Sequence, residues 1–273
     1  MRSIQRNPTA VGPTAVGPTA VGPAAAGPPI SVVGRASAIL GAFTTATPTL
    51  SLAELVRQTG LPKTTVHRLA RELVAERLLD TIGGGYRLGL RLFELGELVP
   101  RHRTLRDAAI PFMEDLRAAT RHRVHLAVLD GVDVVYVEIL GGRGMPLASR
   151  TGGRLPAHAT GVGKAMLAFA PAAVVRARVE AGLSRHTPRT IITPGALATE
   201  LATIRAEGLA FDREESAVGV SCVAAPLFDP GGVVGAISVT GTTTQVDLDR
   251  LGPAVRTASL ALSRQLGAPL ASS

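Results

Sequence analysis

Two short amphipathic segments joined by a tight turn, at residues 51–79, restrict the fold more than any other part of the sequence. Ser51 and Glu54 form an S-x-x-E capping box before the first segment, which is typical of a helix N-terminus. Gly60 ends this helix, and Leu61-Pro62 turns the chain. The next segment has the three-and-four apolar spacing of a helix with one buried face, in Val66, Leu69, Ala70, Leu73 and Val74. The stretch therefore predicts a helix-turn-helix unit.

The second of these helices carries polar and cationic side chains on the face opposite its apolar stripe. Thr64, His67, Arg68 and Arg71 follow one another at steps of three, one and three, so they share a face. Short polar groups followed by arginines are typical of helices that read the DNA major groove. A solvated surface helix carries similar residues, so this face alone leaves both interpretations open. The candidate DNA contacts are Lys63, Thr64, Thr65, His67, Arg68 and Arg71 on the helix, with Arg87 after it.

The flanking residues favour the DNA-binding interpretation. Ala36, Ile39, Leu40 and Phe43 have helical spacing before the unit. After it, LLDTIGGGYRLG has two extended runs around three glycines, which predicts a hairpin, or wing, and would bring Arg87 near the DNA backbone. Residues 31–106 hold 11 Arg or Lys against 6 Asp or Glu. A basic excess favours phosphate-rich partners, although a solvated surface accounts for it equally well.

The rest of the chain predicts a second domain. Its 273 residues suffice for two domains. Strand-like runs occur at 124–129, 133–140, 145–150, 209–213, 221–228 and 233–240, and helical stretches near 161–169, 171–181, 195–207 and 247–266. Strands joined by hairpins imply a largely antiparallel sheet with helices packed on it, an α+β fold.

Between the domains, 89–99 is expected to form an amphipathic connecting helix that Pro100 closes. A longer helix is expected from about Leu105 to Thr120, bent or started anew near Pro111. The expected domains are an arm at 1–30, a winged helix-turn-helix at 31–88, a linker helix at 89–104 and an effector-binding domain at 105–270.

The N-terminal 30 residues differ in composition from everything after them. Residues 9–23 read TAVGP three times, and such Gly-Pro repeats suit neither helix nor strand, so a disordered arm is expected. Pro and Gly also interrupt this stretch too often for a secretion signal. Lys164 and Pro171 break the best apolar run, which excludes a membrane helix. We therefore expect a cytoplasmic protein with no membrane partner.

Three other kinds of function receive little support from the sequence. An enzyme with Cys222 as nucleophile and His158 or His125 as base lacks a recognisable signature, and the cysteine lies between apolar residues. The pair His122-x-x-His125 has no acidic or thiol partner nearby for a metal. With 6 Phe, 2 Tyr and no Trp, no stacking platform for single-stranded RNA is expected. We expect no catalytic residue, metal or cofactor; an interaction module without DNA affinity remains the alternative.

Small residues in two strands suggest a place for a ligand. Alternation puts Ala236, Ser238 and Thr240 on one side of a strand, and Cys222 and Ala224 on one side of another. If these faces meet, they leave space for a pocket with a few hydroxyl groups. The alternative is that the small residues only let a helix pack closely. Gly161-Val162-Gly163 opens a predicted helix, whose first N–H groups attract anions.

The motifs of both predicted domains resemble those of a known family. Five segments are similar, in order and spacing, to the IclR (isocitrate-lyase-regulator) family of bacterial transcription factors. They are LSLAELVRQTGLPKTTVHRLARELVAERLLD, VHLAVLDGVDVVYVE, LPAHATGVGKAMLAF, HTPRTIITP and GLAFDREESAVGVSCVAAPLFDPGGVVGAISVTG. The resemblance covers about residues 31–267. It implies a GAF-like effector domain, dimers or dimers of dimers, palindromic DNA operators, and regulation, as repressor or activator, by small metabolites, often organic or aromatic acids.

The resemblance also implies an effector cavity. The residues that match its lining are Leu147, Leu155, Gly161, Val162, Asp212, Cys222, Ser238 and Thr240. The hypothesis is a small carboxylate that directs its oxygens toward the amides of Gly161 and Val162 and the hydroxyls of Ser238 and Thr240. Asp212 would repel an anion unless it accepts a hydroxyl or is protonated, and it is equally suited to capping a strand end.

Overall fold

The structure is a computed structural model that describes residues 31–141 and 149–268. The expected arm at 1–30 and the candidate cavity residue Leu147 lie outside the described residues, as does most of the strand expected at 145–150. Among the described residues, no helix combines the length and apolarity needed to cross a membrane.

The N-terminal part contains the three helices and the hairpin that the sequence predicts, and a third short strand that was not predicted. The helices are α1 (Val32–Gly41), α2 (Leu52–Thr59) and α3 (Lys63–Ala75), and the strands are β1 (Thr49–Leu50), β2 (Leu79–Ile82) and β3 (Gly85–Leu88), in the order β1-β3-β2. Both halves of the capping box are present: the Glu54 N–H donates to Ser51 Oγ at 3.3 Å, and the Ser51 N–H donates to Glu54 Oε2 at 2.7 Å. Gly60 ends α2 in the left-handed conformation, φ 66°, where glycine has no steric penalty.

The connection to the second part differs from the prediction. Helix α4 (Arg91–Gly96) has only six residues, fewer than the expected 89–99. Pro100 does not close a helix; it lies in the first turn of α5 (Pro100–Thr120), which has 21 residues and continues through Pro111. The physical reason is that a first-turn residue has no intrahelical acceptor for its N–H, so proline is tolerated there.

The second part is an α+β unit built on a six-stranded antiparallel sheet. Its strands are β4 (Arg123–Asp130), β5 (Asp133–Leu140), β6 (Arg154–Pro156), β7 (Ala210–Arg213), β8 (Val220–Asp229) and β9 (Gly232–Thr242), in the order β6-β5-β4-β9-β8-β7. Its other helices are α6 (Gly161–Leu167), α7 (Ala172–Glu180), α8 (Pro194–Glu207) and α9 (Leu248–Gln265). Residues 149 and 150, the described end of the expected strand at 145–150, belong to no strand; β6 follows instead and pairs with β5.

Strand alternation assigns each face of this sheet to its own helical layer. Ile237 and Val239 of β9 belong to a core with Leu105, Met113, Val255 and Leu262 of α5 and α9. Ala236 faces the other way, into a core with Met166, Leu197, Leu201 and Ile204 of α6 and α8. The small side chains predicted to face a ligand therefore lie on the side of the sheet that α6 covers.

Candidate functional site

The outer face of α3 is exposed along its length. Lys63, Thr64, His67, Arg68 and Arg71 are exposed and Thr65 is half-buried, whereas Val66, Leu69, Ala70 and Leu73 are in the core. The structure therefore exposes five of the six candidate residues of this helix, and Thr65 is only partly accessible.

The start of α3 has further polar groups that the sequence analysis did not identify. Pro62 is the N-cap residue, and it has no side chain that could accept a hydrogen bond from the first turn, which also contains no acidic residue. The N–H groups of the first turn of a helix have no intrahelical acceptor. They carry the positive end of the helix dipole and favour an anion such as a phosphate group.

Two of the candidate arginines already have acidic partners. Arg68 Nη1 lies 2.7 Å from Glu72 Oε1, and both side chains are more than half exposed. Arg87 lies in β3, and its Nε is 3.1 Å from Asp80 Oδ2 in β2. Exposed pairs of this kind are weak, about 0–1 kcal/mol, so a phosphate can replace either carboxylate at small cost. Gly83 and Gly84 form the turn of the hairpin, so Arg87 lies on its stem.

Seven of the eight candidate effector residues lie around one cavity in the second part. They are Leu155, Gly161, Val162, Asp212, Cys222, Ser238 and Thr240. The pairing of β8 with β9 accounts for this, because Cys222 lies opposite Thr240 and Ala224 opposite Ser238. The space enclosed by these residues has a volume of about 30 Å³, so an organic ligand requires the lining residues to move apart.

The two interpretations of the small residues hold at different positions. Ala224 and Ala236 are fully buried in the core under α6, so there the small side chains allow close packing. Cys222, Ser238 and Thr240 line the cavity instead. Gly161 joins the two regions: a Cβ on this residue would lie 2.6 Å from Cys222 Sγ, so only glycine fits there without displacement of the thiol.

The start of α6 offers fewer free amides than the sequence suggested. The Gly163 N–H donates to Thr160 Oγ1 at 3.1 Å, and the Gly161 amide acts on the Cys222 thiol by lowering its pKa. Burial is the main reason that the pKa of Cys222 is raised, and the negative charge of Asp212 adds to it. The thiol is therefore protonated at neutral pH, which disfavours the nucleophile considered above.

His125 is a cavity residue that the sequence analysis assigned only to the alternative functions. Its Nδ1 lies 3.1 Å from Thr240 Oγ1 and 3.5 Å from Ser238 Oγ, and its Nε2 lies 3.0 Å from Ser149 Oγ. Burial, with a smaller effect of Arg123, lowers its pKa to about 3. Further lining residues that were not predicted are Tyr136, Ser149, Thr160, Ser216, Ala217 and Val220. In the sequence, the only local feature that distinguishes His125 is that it is a polar residue between two apolar strand residues, Val124 and Leu126.

Asp212 takes the capping role that the sequence analysis left open. Its Oδ1 accepts from the N–H groups of Glu215 at 2.6 Å and Ser216 at 3.3 Å, and its Oδ2 accepts from Ser216 Oγ at 2.6 Å. Burial raises its pKa, although these hydrogen bonds and Lys164 act in the opposite direction. The carboxylate thus holds the turn after β7 beside the cavity.

A buried ion pair supports this turn from below. Lys164 of α6 has no exposed side-chain surface; its Nζ lies 2.6 Å from each carboxylate oxygen of Glu215 and 2.9 Å from Glu200 Oε1. The ion pair therefore connects the turn at the cavity with α6 and α8. In the sequence Lys164 is recognisable only as an interruption of an apolar run.

No group of three or more His, Cys, Asp or Glu side chains among the described residues is arranged to hold a metal ion. His122 and His125 therefore lack a third ligand in the part of the chain that the structure describes.

Comparisons with known proteins agree with both parts of the chain. The family model of the IclR helix-turn-helix domain matches residues 32–82, and that of the bacterial transcriptional regulator IclR C-terminal domain matches residues 99–264. The HTH-type transcriptional regulator XynR of Escherichia coli (strain K12) is 36% identical over 248 residues, which cover 88% of this chain and 98% of XynR. The transcriptional repressor IclR of the same strain is 32% identical over 209 residues, 74% of this chain and 76% of that protein.

Solved structures agree with this assignment. An IclR homolog from Microbacterium hydrocarbonoxydans, crystallised as a complex with 4-hydroxybenzoate, has a TM-score of 0.79 at 28% identity and covers 86% of this chain and 99% of its own. Thermotoga maritima IclR has a TM-score of 0.70 at 28% identity, with 86% and 98% covered. The chain therefore belongs to the IclR family of bacterial transcriptional regulators, with an N-terminal DNA-binding helix-turn-helix and a C-terminal effector domain.

Proposed function

We propose that this protein is a sequence-specific transcriptional regulator whose affinity for its operator changes when a small carboxylate-bearing metabolite binds in the cavity of the C-terminal domain. Residues 31–88 bind DNA, 89–104 connect the domains and 105–270 bind the effector. The protein acts on DNA in the cytoplasm and is not an enzyme. The observation that carries the proposal is the exposed polar face of α3, with its basic side chains beside a first turn without a side-chain cap.

In this proposal α3 lies in the major groove. Thr64, His67, Arg68 and Arg71 face the bases, while Lys63, Thr65 and the first-turn amides contact phosphates, as helix N-termini do. Arg87 on the wing stem contacts the DNA backbone. Arg68 must exchange Glu72 for its DNA partner, which costs little because the pair is exposed.

Arg68→Ala tests this interface. If Arg68 reads a base, the substitution weakens binding to the operator by about 1–3 kcal/mol and relaxes sequence preference at one position. Fluorescence anisotropy with fragments of the region upstream of its own gene measures this. Arg176→Ala, which removes an exposed arginine from α7, is the matched control. Equal weakening on every DNA sequence reassigns Arg68 to a phosphate; no salt-sensitive DNA binding by the wild type would refute the interface.

The effector is proposed to place its carboxylate beside the Val162 N–H and the hydroxyls of Ser238 and Thr240. This modifies the simpler arrangement with two amides, because the Cys222 sulfur lies beside Gly161. The 4-hydroxybenzoate in the Microbacterium relative is a carboxylate of this class, which supports the proposal. Asp212 remains a capping group and faces the uncharged part of the effector.

Isothermal titration calorimetry with a panel of carboxylates, 4-hydroxybenzoate among them, tests the effector site. The double variant Ser238→Ala, Thr240→Ala is expected to weaken the tightest carboxylate at least about tenfold, or about 1.4 kcal/mol, because two hydrogen bonds are lost. Thr203→Ala, an exposed hydroxyl on α8, is the control. A carboxylate whose affinity is equal in the double variant would place the effector elsewhere.

We also propose a homodimer, or a tetramer formed from two dimers, which suits an operator with two half-sites. The linker region supports this, because Leu90, Phe93 and Leu98 are 64–71% exposed, and clustered apolar surface of this kind marks interaction sites. The effector can change DNA affinity only if it binds the DNA-competent and incompetent arrangements unequally. Sedimentation analysis of the protein with and without the effector gives the oligomeric state.

A further inference from the structure

We propose that His125 determines the ligand specificity of the cavity, by taking up a proton when a carboxylate binds and thereby selecting anions over neutral molecules of the same shape. The inference rests on the proposed function, since it assumes that the cavity is the effector site.

The groups that contact the imidazole nitrogens of His125 are hydroxyls. His125 is 3% exposed, lines the cavity, and has hydroxyl partners on both nitrogens: Ser149 at Nε2, and Thr240 and Ser238 at Nδ1. A hydroxyl can donate or accept. Neither nitrogen therefore faces a fixed donor, and the ring can carry two protons while every contact is kept.

A second proton on the ring changes the direction of the hydrogen bonds that these hydroxyls make. In neutral imidazole one nitrogen is an acceptor, so one of the neighbouring hydroxyls must turn its proton toward the ring. In the cation both nitrogens donate, and the hydroxyls of Thr240 and Ser238 can turn their protons toward a ligand. Protonation thus gives the cavity a positive charge together with O–H donors, the combination that a carboxylate requires.

Several other titratable groups face the cavity or act on the ring of His125. These are Arg123 on its own strand, Tyr136 on β5, Asp212 on β7 and Cys222 on β8, with Lys164 of α6 acting on the last two. The rings of His125 and Tyr136 are 5.3 Å apart. Burial raises the pKa of both Tyr136 and Cys222, so these two groups are already protonated.

Among the described residues that face the cavity, Asp212 is therefore the only rival for the proton. Both of its oxygens accept hydrogen bonds from the Glu215 and Ser216 amides or the Ser216 hydroxyl. These bonds favour the charged carboxylate, and a proton there would disturb at least one of them. Protonation of His125 breaks no hydrogen bond, and an anion beside it offsets the burial that keeps the ring neutral. The bound anion is therefore expected to raise the pKa of His125 more readily than it protonates Asp212.

Binding that takes up a proton depends on pH in a defined way. Between the pKa of His125 in the free protein and its higher pKa in the complex, each unit of increase in pH lowers the affinity up to about tenfold. A neutral amide of the same shape gains nothing from the proton, so its affinity changes little with pH.

Calorimetry of the full-length protein near pH 5.5 tests the inference. The probes are the tightest carboxylate of the panel named above and its neutral amide, each titrated in two buffers of different ionisation enthalpy. We expect uptake of up to about one proton for each carboxylate bound, and none with the amide. His125→Gln is expected to abolish the uptake and flatten the pH dependence, whereas Asp212→Asn keeps both. Circular dichroism establishes that each variant is folded.

A measurement on the wild type does not depend on those variants. The chain has 6 histidines, and the ¹⁵N shifts of their rings distinguish neutral imidazole from the cation. We expect the probe to convert one neutral histidine to the cation. If the carboxylate binds with no proton uptake and no such conversion, or if only Asp212→Asn loses the uptake, the inference is overturned while the proposed function stands. If no carboxylate binds, the proposed effector class fails, and this inference fails with it.

Discussion

Gly161→Ala is expected to destabilise the C-terminal domain, because the added methyl group meets a thiol. The new Cβ would lie 2.6 Å from Cys222 Sγ, about 1 Å inside ordinary contact, while its next neighbours, Ala224 Cβ and Asp212 Cβ, are both at 3.6 Å. Overpacking of a filled core costs about 1–3 kcal/mol. Replacing glycine by alanine returns up to about 1 kcal/mol through the lower entropy of the unfolded chain. The net loss in free energy of unfolding is about 1–2 kcal/mol.

A double-mutant cycle with Cys222→Ala isolates the clash from other effects of the substitution. Cys222→Ala alone is expected to cost about 1 kcal/mol, as for a small loss of buried side chain. Once the sulfur is absent, the methyl group at position 161 has only contacts of ordinary length. The double variant should therefore be at least as stable as Cys222→Ala, with a coupling energy of about 1–3 kcal/mol.

Urea unfolding followed by circular dichroism gives the four free energies of the cycle. The cycle tests the close approach of Gly161 in α6 to Cys222 in β8. If Gly161→Ala is as stable as the wild type, or if the two substitutions are additive within about 0.5 kcal/mol, the close approach of α6 to Cys222 is refuted.

Two further predictions concern buried charge. Glu215→Gln removes the partner that contacts Lys164 through both carboxylate oxygens, and it should lower the free energy of unfolding in urea by about 3 kcal/mol. The side chain of Glu200 is 31% exposed, so Glu200→Gln should cost about 1 kcal/mol or less. Equal effects of the two substitutions would contradict the assigned roles. His125→Gln should make the stability of the protein less sensitive to acid. Between the pKa of His125 in the unfolded chain, about 6.5, and its pKa in the folded protein, about 3, only the unfolded chain holds the proton. The wild type therefore loses up to about 1.4 kcal/mol of stability for each unit by which the pH falls in this range. Unfolding at about pH 7 and pH 5 measures the difference in slope between wild type and variant, and parallel slopes would contradict the burial of a neutral imidazole.

Local sequence signals predicted the elements that local forces determine. The capping box at Ser51, the glycine that ends α2 and the apolar spacing of α3 all depend on residues within one or two turns. Strand alternation likewise put Cys222, Ser238 and Thr240 on the faces that meet in the cavity. Each of these inferences needs only the periodicity of the backbone.

Features that depend on distant pairing were not predictable in the same way. Strand β1 has two residues and exists because Thr49 and Leu50 pair with β3. His125 reaches the cavity hydroxyls through strand pairing across more than 110 positions of the chain. The carboxylates around Lys164 lie 36 and 51 positions away. Pro100 was misread for a different reason. Proline both stops helices and is tolerated in their first turn, so its presence alone does not show whether a helix ends or begins there.

The burial of Cys222 has a practical consequence for measuring motion. It is the only cysteine of the 273 residues, it is 7% exposed, and its raised pKa keeps it as the unreactive thiol. The wild-type chain is therefore already a background for maleimide labelling, without removal of its native sulfur. A cysteine introduced at Val218, which is 73% exposed in the loop beside the cavity, would accept a dye or spin label selectively.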